Sequence, residues 1–203
     1  MSIAAADITG VILAGGQGKR LGGADKGLVQ LAGKPLVEYV IAALQPQVGA
    51  LLISANRNRE TYAAYGFPVV ADDVGDYCGP LAGMLSGLRA AGTAYVLCAS
   101  CDTPAPPADL AARLILVLER EQAKLAVVTC HARMQPVFAL LHRSLADPLR
   151  TYLAAGGRRA GEWMQQQNAA LVDFSDKPEA FVNINTPQEL QAADSCRLPV
   201  PKC

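Results

Sequence analysis

A short, mostly apolar run, residues 8–14, feeds a loop in which six of the thirteen residues from Gly15 to Gly27 are glycine. The run lacks alternation and is too short for a helix, so it reads as a strand buried on both faces. A connection that only had to turn would not need so many glycines. Without a Cβ, backbone N–H groups can approach a ligand closely, and successive N–H groups form an anion-binding concavity. Lys19, Arg20 and Lys26 bring three cations to the same stretch. A polyphosphate is the guest such a loop suits. Two familiar loops do not fit. The dinucleotide pattern GxGxxG needs a glycine where Leu21 stands, and the P-loop needs Ser or Thr where Gly-Lys continues as Arg20 and Pro35.

Beyond the loop, apolar strand-like runs at 51–54, 68–71, 94–100, 125–130, 137–141 and 170–174 alternate with helical patterns. The helices are expected at 35–45, with Pro35 as first helical residue, and at 58–65, 80–91, 108–121, 144–155 and 186–193. A further short helix follows a loop at 156–161. The alternation predicts an α/β fold of three layers, αβα: a Rossmann-like, mainly parallel sheet with helices on both faces. Ligands of such sheets sit beyond the carboxyl ends of the strands, which directs attention to the loops 14–27, 54–58, 72–80 and 100–107. One domain is expected over residues 1–194, followed by a flexible tail at 195–203.

Composition narrows the function classes. With 51% hydrophobic and 18% charged residues among 203, the chain is not disordered. Its 18 basic and 18 acidic side chains cancel, which removes the basic footprint of a nucleic-acid binder. No membrane-length apolar run and no signal peptide are legible, so a cytoplasmic protein with reduced cysteines is expected.

The pattern Leu13-Ala14-Gly15-Gly16-Gln17-Gly18-Lys19-Arg20-Leu21-Gly22 resembles the signature of nucleotidyltransferases that join a nucleoside monophosphate to a phosphorylated acceptor. Its extension, Gly22-Gly23-Ala24-Asp25-Lys26-Gly27, is similar to that of the molybdenum cofactor guanylyltransferase (MobA) family. Gly33-Lys34-Pro35-Leu36, the segment Asp72 to Leu85, Cys101-Asp102-Thr103-Pro104 and the stretch Phe181 to Pro187 resemble further segments of that family, in the same order. The resemblance spans residues 8–190.

It implies a nucleotide-diphospho-sugar-transferase-like fold and transfer of GMP from GTP to the phosphate of molybdopterin, with or without molybdenum, releasing pyrophosphate. Arg20, Lys26 and Asp102 are implied as catalytic, with Asp102 holding Mg²⁺. Leu13, Ala14, Gly15, Lys26, Ser54, Asn56, Asp72 and Asp102 are implied to meet the nucleotide. Asp72 would serve the guanine or the ribose, with Asp73 and Asp76 as neighbouring competitors. Ser54 departs from the family's asparagine, which leaves open whether Ser54 or Asn56 faces the base. On the acceptor side stand Gly23, Gly79, Gly83, Arg158, Asn183 and Asn185. Gly79 and Gly83 fit either close ligand contact or helix geometry; Asn183 and Asn185 share one side of an extended segment or form turns; Arg158 and Arg159 hold a phosphate or form a solvated pair. A monomer is implied, with molybdopterin-delivering proteins and molybdoenzyme chaperones as partners. A same-fold cytidylyltransferase or sugar-phosphate nucleotidyltransferase is the neighbouring alternative, and a non-catalytic pterin carrier the more distant one.

The remaining candidates read as structural. Cys98 and Cys101 form a CxxC with no second pair to complete a zinc site. His131 reads as a strand-end residue, His142 as a surface residue, and Trp163 and Met164 as packing.

Overall fold

The computed structural model describes residues 2–14, 23–72 and 79–195. In chain order, β1 (Ile8–Leu13) is followed by a hairpin of β2 (Gln30–Leu31) and β3 (Lys34–Pro35), then α1 (Leu36–Leu44), β4 (Ala50–Ser54), α2 (Arg59–Ala63) and β5 (Val69–Val70). The middle of the chain forms α3 (Pro80–Ala90), β6 (Tyr95–Ser100), α4 (Leu110–Arg120), β7 (Leu125–Cys130) and β8 (Arg133–His142). It ends in α5 (Ala146–Ala154), α6 (Ala160–Gln166), β9 (Ala170–Asp173) and α7 (Pro187–Ser195).

Among the described residues, seven strands build one sheet in the order β5-β4-β1-β6-β8-β7-β9. Pairing is parallel along β5, β4, β1 and β6 and again between β7 and β9, while β8 runs against both β6 and β7. Every residue of β1 is buried, as expected for a central strand covered on both faces. One face packs on α1 and α4 through Val37, Val40, Leu44, Leu110 and Leu114. The other packs on α3, α5 and α6 through Leu81, Leu85, Leu149 and Trp163. The three-layer architecture expected from the alternation is the one observed.

Three local differences have physical causes. The expected turn at Gly33-Lys34-Pro35 is a small hairpin, with Ala32 (φ 49°) and Gly33 (φ 80°) supplying a left-handed turn and Pro35 capping α1. Strand β8 begins at Arg133, four residues before the expected 137, because His131 (φ 48°) and Ala132 (φ 59°) turn the chain straight back from β7. Pro136 then falls where the register between β7 and β8 shifts, a place that does not need its missing N–H. The expected loop at 156–161 is shorter, since α6 starts at Ala160.

Helix α3 lies close enough to β1 that a Cβ on Gly87 would stand 2.8 and 3.0 Å from the two methyls of Val11. Val11 is fully buried, and its β-branched side chain has little freedom to yield. Gly87→Ala gains about 1 kcal/mol of helix propensity and loses more to overpacking, so stability falls by about 1–2 kcal/mol. The urea midpoint of unfolding measures it.

Candidate functional site

The carboxyl ends of the three central strands are level. Leu13 pairs with Ser54 of β4 and with Ser100 of β6, and the chain leaves all three at the same edge of the sheet. Ala14 N–H donates to the Ser54 carbonyl at 2.8 Å and Cys101 N–H to the Leu13 carbonyl at 3.1 Å, so the ladder holds past the last strand residue. Asp102 therefore projects from a fixed base.

Around Asp102 the chain assembles residues from three distant segments. Its Oδ2 accepts from the Lys26 ammonium at 3.1 Å and its Oδ1 from the Ser100 hydroxyl at 2.5 Å, with Thr103 Oγ1 3.5 Å away. The Lys26 ammonium also donates to Asn185 Oδ1. Thr103 Oγ1 donates to Asn183 Oδ1 at 2.6 Å, and the Ile184 N–H to the Asp102 carbonyl at 2.8 Å. Asn183 and Asn185 thus turn to the Asp102 side of their extended segment, while Ile184 between them is buried against Leu31, Leu36 and Tyr39. The segment is held at its far end by a capping box. Glu189 Oε2 accepts from the N–H groups of Asn185 and Thr186, and Thr186 Oγ1 accepts from the Glu189 N–H. These donors, that of Asn185 first, hold the Glu189 carboxyl below its ordinary value.

A second group forms on the other side of β1. Asp72 accepts from Asn56 Nδ2 at 2.8 Å and, more weakly, from Ser54 Oγ at 3.4 Å, and its own N–H donates to Asn56 Oδ1 at 2.8 Å. Asn56 spends both ends of its amide on Asp72, which fixes that carboxylate at the mouth of β4. Gly83 stands beneath: a Cβ there would lie 2.8 Å from Ser54 Oγ and 2.9 Å from Leu13 Cδ2. Close packing of α3 on the ends of β1 and β4 leaves no room for a side chain at this position. Gly79 takes φ 65° ahead of Pro80 and caps α3.

The remaining expected residues are dispersed. Gly23 is exposed, with φ 82°. Arg158 is exposed. Its Nη1 donates to the carbonyls of Leu153 and Gly157 at 2.9 and 2.7 Å and so closes the end of α5. Arg158 lines a concavity of about 420 Å³ with Tyr152, Gly156, Gly157, Arg159 and Glu162. Gly15, Arg20, Asp73, Asp76 and the tail from residue 196 lie outside the described residues.

Several side chains near the site carried no signal of a role in the sequence. Asp25 is buried beside Lys26, with its carboxylate taken by Tyr62 and Asn58. Ser100 and Thr103 could have been noticed only as hydroxyls flanking an acidic residue. The CxxC thiols are poor nucleophiles: burial pushes Cys98 up to about 12, and burial together with the Asp102 charge raises Cys101 further. His131 sits in the β7–β8 turn, as expected. His142 is half-buried where a surface residue was expected. It packs edge-on against Tyr95, and its pKa is lowered by burial and by Lys124 and Arg143. Trp163 and Met164 are fully buried.

Residues 10–171 match the family described as the MobA-like NTP transferase domain. A molybdenum cofactor guanylyltransferase of Shewanella sediminis is 46% identical over 184 residues, covering 91% of this chain and 94% of the relative. One from Cupriavidus pinatubonensis is 48% identical over 198 residues, covering 95% and 99%. In three dimensions, the molybdopterin-guanine dinucleotide biosynthesis protein A of Archaeoglobus fulgidus superposes with a TM-score of 0.78 over 93% of this chain and 97% of that one, at 23% identity.

Proposed function

Because the chain belongs to the MobA-like NTP transferases, as one of the molybdenum cofactor guanylyltransferases, we propose that it transfers GMP from GTP to the terminal phosphate of molybdopterin, with or without molybdenum. An oxygen of that phosphate attacks the α-phosphorus of GTP; the new P–O bond forms as the bond to the β-phosphate breaks, and pyrophosphate leaves. A phosphate monoester is largely ionised at neutral pH, so no general base is needed. Positioning and charge neutralisation carry the rate.

The observation that supports this reading best is the Lys26 ammonium held between Asp102 and Asn185 at the end of β6. Two oxygens from segments far apart in sequence converge on a cation beside the glycine-rich loop. That donor set, a carboxylate and an amide oxygen with hydroxyls nearby, is the hard oxygen chemistry that suits Mg²⁺, which takes one or two carboxylates and completes its shell with water and phosphate oxygens. Asp102 would hold the ion, which when bound neutralises charge on the triphosphate. Lys26 and Arg20 would bind the phosphates; Leu13, Ala14 and Gly15 would meet the nucleotide through their main chain. Gly23, Gly79, Asn183, Asn185 and the concavity at Arg158 belong to the acceptor side.

Asp72 is assigned to the guanine edge, where a carboxylate can accept from both N1–H and the exocyclic amine. Asn56 orients it, and Ser54 stands behind it. Asp72→Asn lowers kcat/KM for GTP about 10- to 100-fold, the scale of a lost hydrogen bond to a charged group. It also narrows the preference for GTP over inosine triphosphate, which lacks the amine. Equal losses for the two nucleotides would move Asp72 to the ribose.

The reading includes a monomeric, cytoplasmic protein with one catalytic unit over residues 1–194. It would receive molybdopterin from delivering proteins and pass its product to molybdoenzyme chaperones. Among the described residues, no helix is long and apolar enough to cross a membrane. Pyrophosphate release with each of the four nucleoside triphosphates, with and without molybdopterin, tests the proposal. It requires release with GTP alone among the four and only when the pterin is present.

A further inference from the structure

Asp25 stands immediately before the single turn of helix formed by Lys26–Leu28. An aspartate at such a position ordinarily turns its carboxylate onto the turn's own N–H groups. Here it makes no capping bond. Both oxygens point instead to the next helix layer: Oδ1 accepts from the Tyr62 hydroxyl at 2.5 Å and Oδ2 from Asn58 Nδ2 at 3.0 Å. Tyr62 is completely buried on α2, and Asn58 precedes that helix in the left-handed region at φ 49°, a conformation asparagine tolerates. Burial and the bond to Asp25 lift the Tyr62 phenol far above its ordinary range, so it remains the donor.

The same hydroxyl touches the other side of the turn. A Cβ on Gly27 would collide with the Tyr62 oxygen, and the buried glycine lets the main chain lie against it. Lys26 is therefore flanked by two residues that Tyr62 holds, one by a hydrogen bond and one by close approach. A lysine side chain is long and flexible, so where its ammonium can reach depends on where its Cα is fixed.

We propose that Tyr62, through Asp25 and Gly27, is a positioning residue that sets the Lys26 ammonium at Asp102 and Asn185. The inference rests on the assignment of Lys26 to the nucleotide phosphates. Tyr62→Phe keeps the buried ring and removes only the hydroxyl, so Asp25 loses its tether and the Lys26 turn its fixed point.

The test is a double-mutant cycle on the full chain, read as pyrophosphate release with GTP and molybdopterin, with thermal unfolding alongside. Tyr62→Phe lowers kcat about tenfold with KM for GTP little changed, a coupling of ordinary size for residues sharing a network. In a Lys26→Ala background the same substitution changes kcat less than about twofold, while its effect on the unfolding temperature is the same in both backgrounds. Asn58→Gly, which keeps the left-handed backbone and removes the second tether, repeats the pattern with a smaller loss. A tenfold loss that persists without Lys26, or an unchanged kcat in Tyr62→Phe, overturns the positioning role. Wild-type turnover in Lys26→Ala alone would instead remove the phosphate assignment, so the two failures are told apart.

Discussion

Replacing Asp102 with alanine lowers turnover about 100-fold or more, the scale of a lost electrostatic stabiliser. The carboxylate is the acidic group that the central strands deliver to their own ends: β6 is locked to β1 through Ser100, and Asp102 follows two residues later. It binds the Lys26 ammonium in an ion pair whose two side chains are 18% and 15% exposed, so neither charge is fully screened by water. Among the described residues, alanine leaves Lys26 with the Asn185 amide oxygen alone, and it removes the anchor proposed for a divalent ion on the triphosphate. Asp102→Asn preserves size and one oxygen ligand and falls nearly as far, because the missing quantity is the charge. Turnover measured against Mg²⁺ concentration checks the prediction. A variant with near-normal Mg²⁺-dependent turnover would defeat the metal assignment.

Lys26→Ala has a loss of similar size, about 100-fold in kcat/KM for GTP, and exceeds Lys19→Ala by at least tenfold. The cause is pre-organisation. The Lys26 ammonium is fixed before any ligand arrives, by Asp102 and Asn185 at one end and by the tethered turn at the other. A cation already in place spends little of its interaction on being ordered. Lys26→Arg keeps the charge but offers a planar fork where a compact ammonium sits, and recovers only part of the rate. Steady-state kinetics of the three variants decide the point. Equal losses at Lys19 and Lys26 would mean that the phosphate contact has been misassigned.

The layers of the fold were legible because apolar runs of strand length, unbroken by alternation, already imply burial on two faces. Strand β8 was harder. Its first half contains Pro136 and the polar Arg133 and Gln135, so only the apolar end from 137 read as a strand, and its reversed direction depends on a two-residue turn with no glycine. At the site, Lys26, Asp102, Asn183 and Asn185 were singled out separately, and the structure brings them together. Ser54, Asn56 and Asp72 likewise come together. What no sequence pattern exposed was the Asp25–Tyr62–Asn58 tether. Its partners are more than thirty residues apart, and a tyrosine on a short helix ordinarily reads as core. Arg158 carried an equivocal signal for the opposite reason: a helix-closing guanidinium and a phosphate-binding one have the same one-letter code.

The small apolar patch formed by Leu31, Leu36, Tyr39 and Ile184, with Leu190 against it, is separate from both faces of the sheet. Beyond Phe181, which is buried in the main core, this patch carries the hydrophobic anchoring of the strap that bears Asn183 and Asn185, and Asp194 Oδ1 ties the hairpin to α7 by one further bond from the Ala32 N–H. An island this small can detach at far lower cost than the sheet can unravel. The amides of 184–190 therefore exchange with deuterium well before those of β1, and the half of the cleft proposed for the second substrate is the softer half.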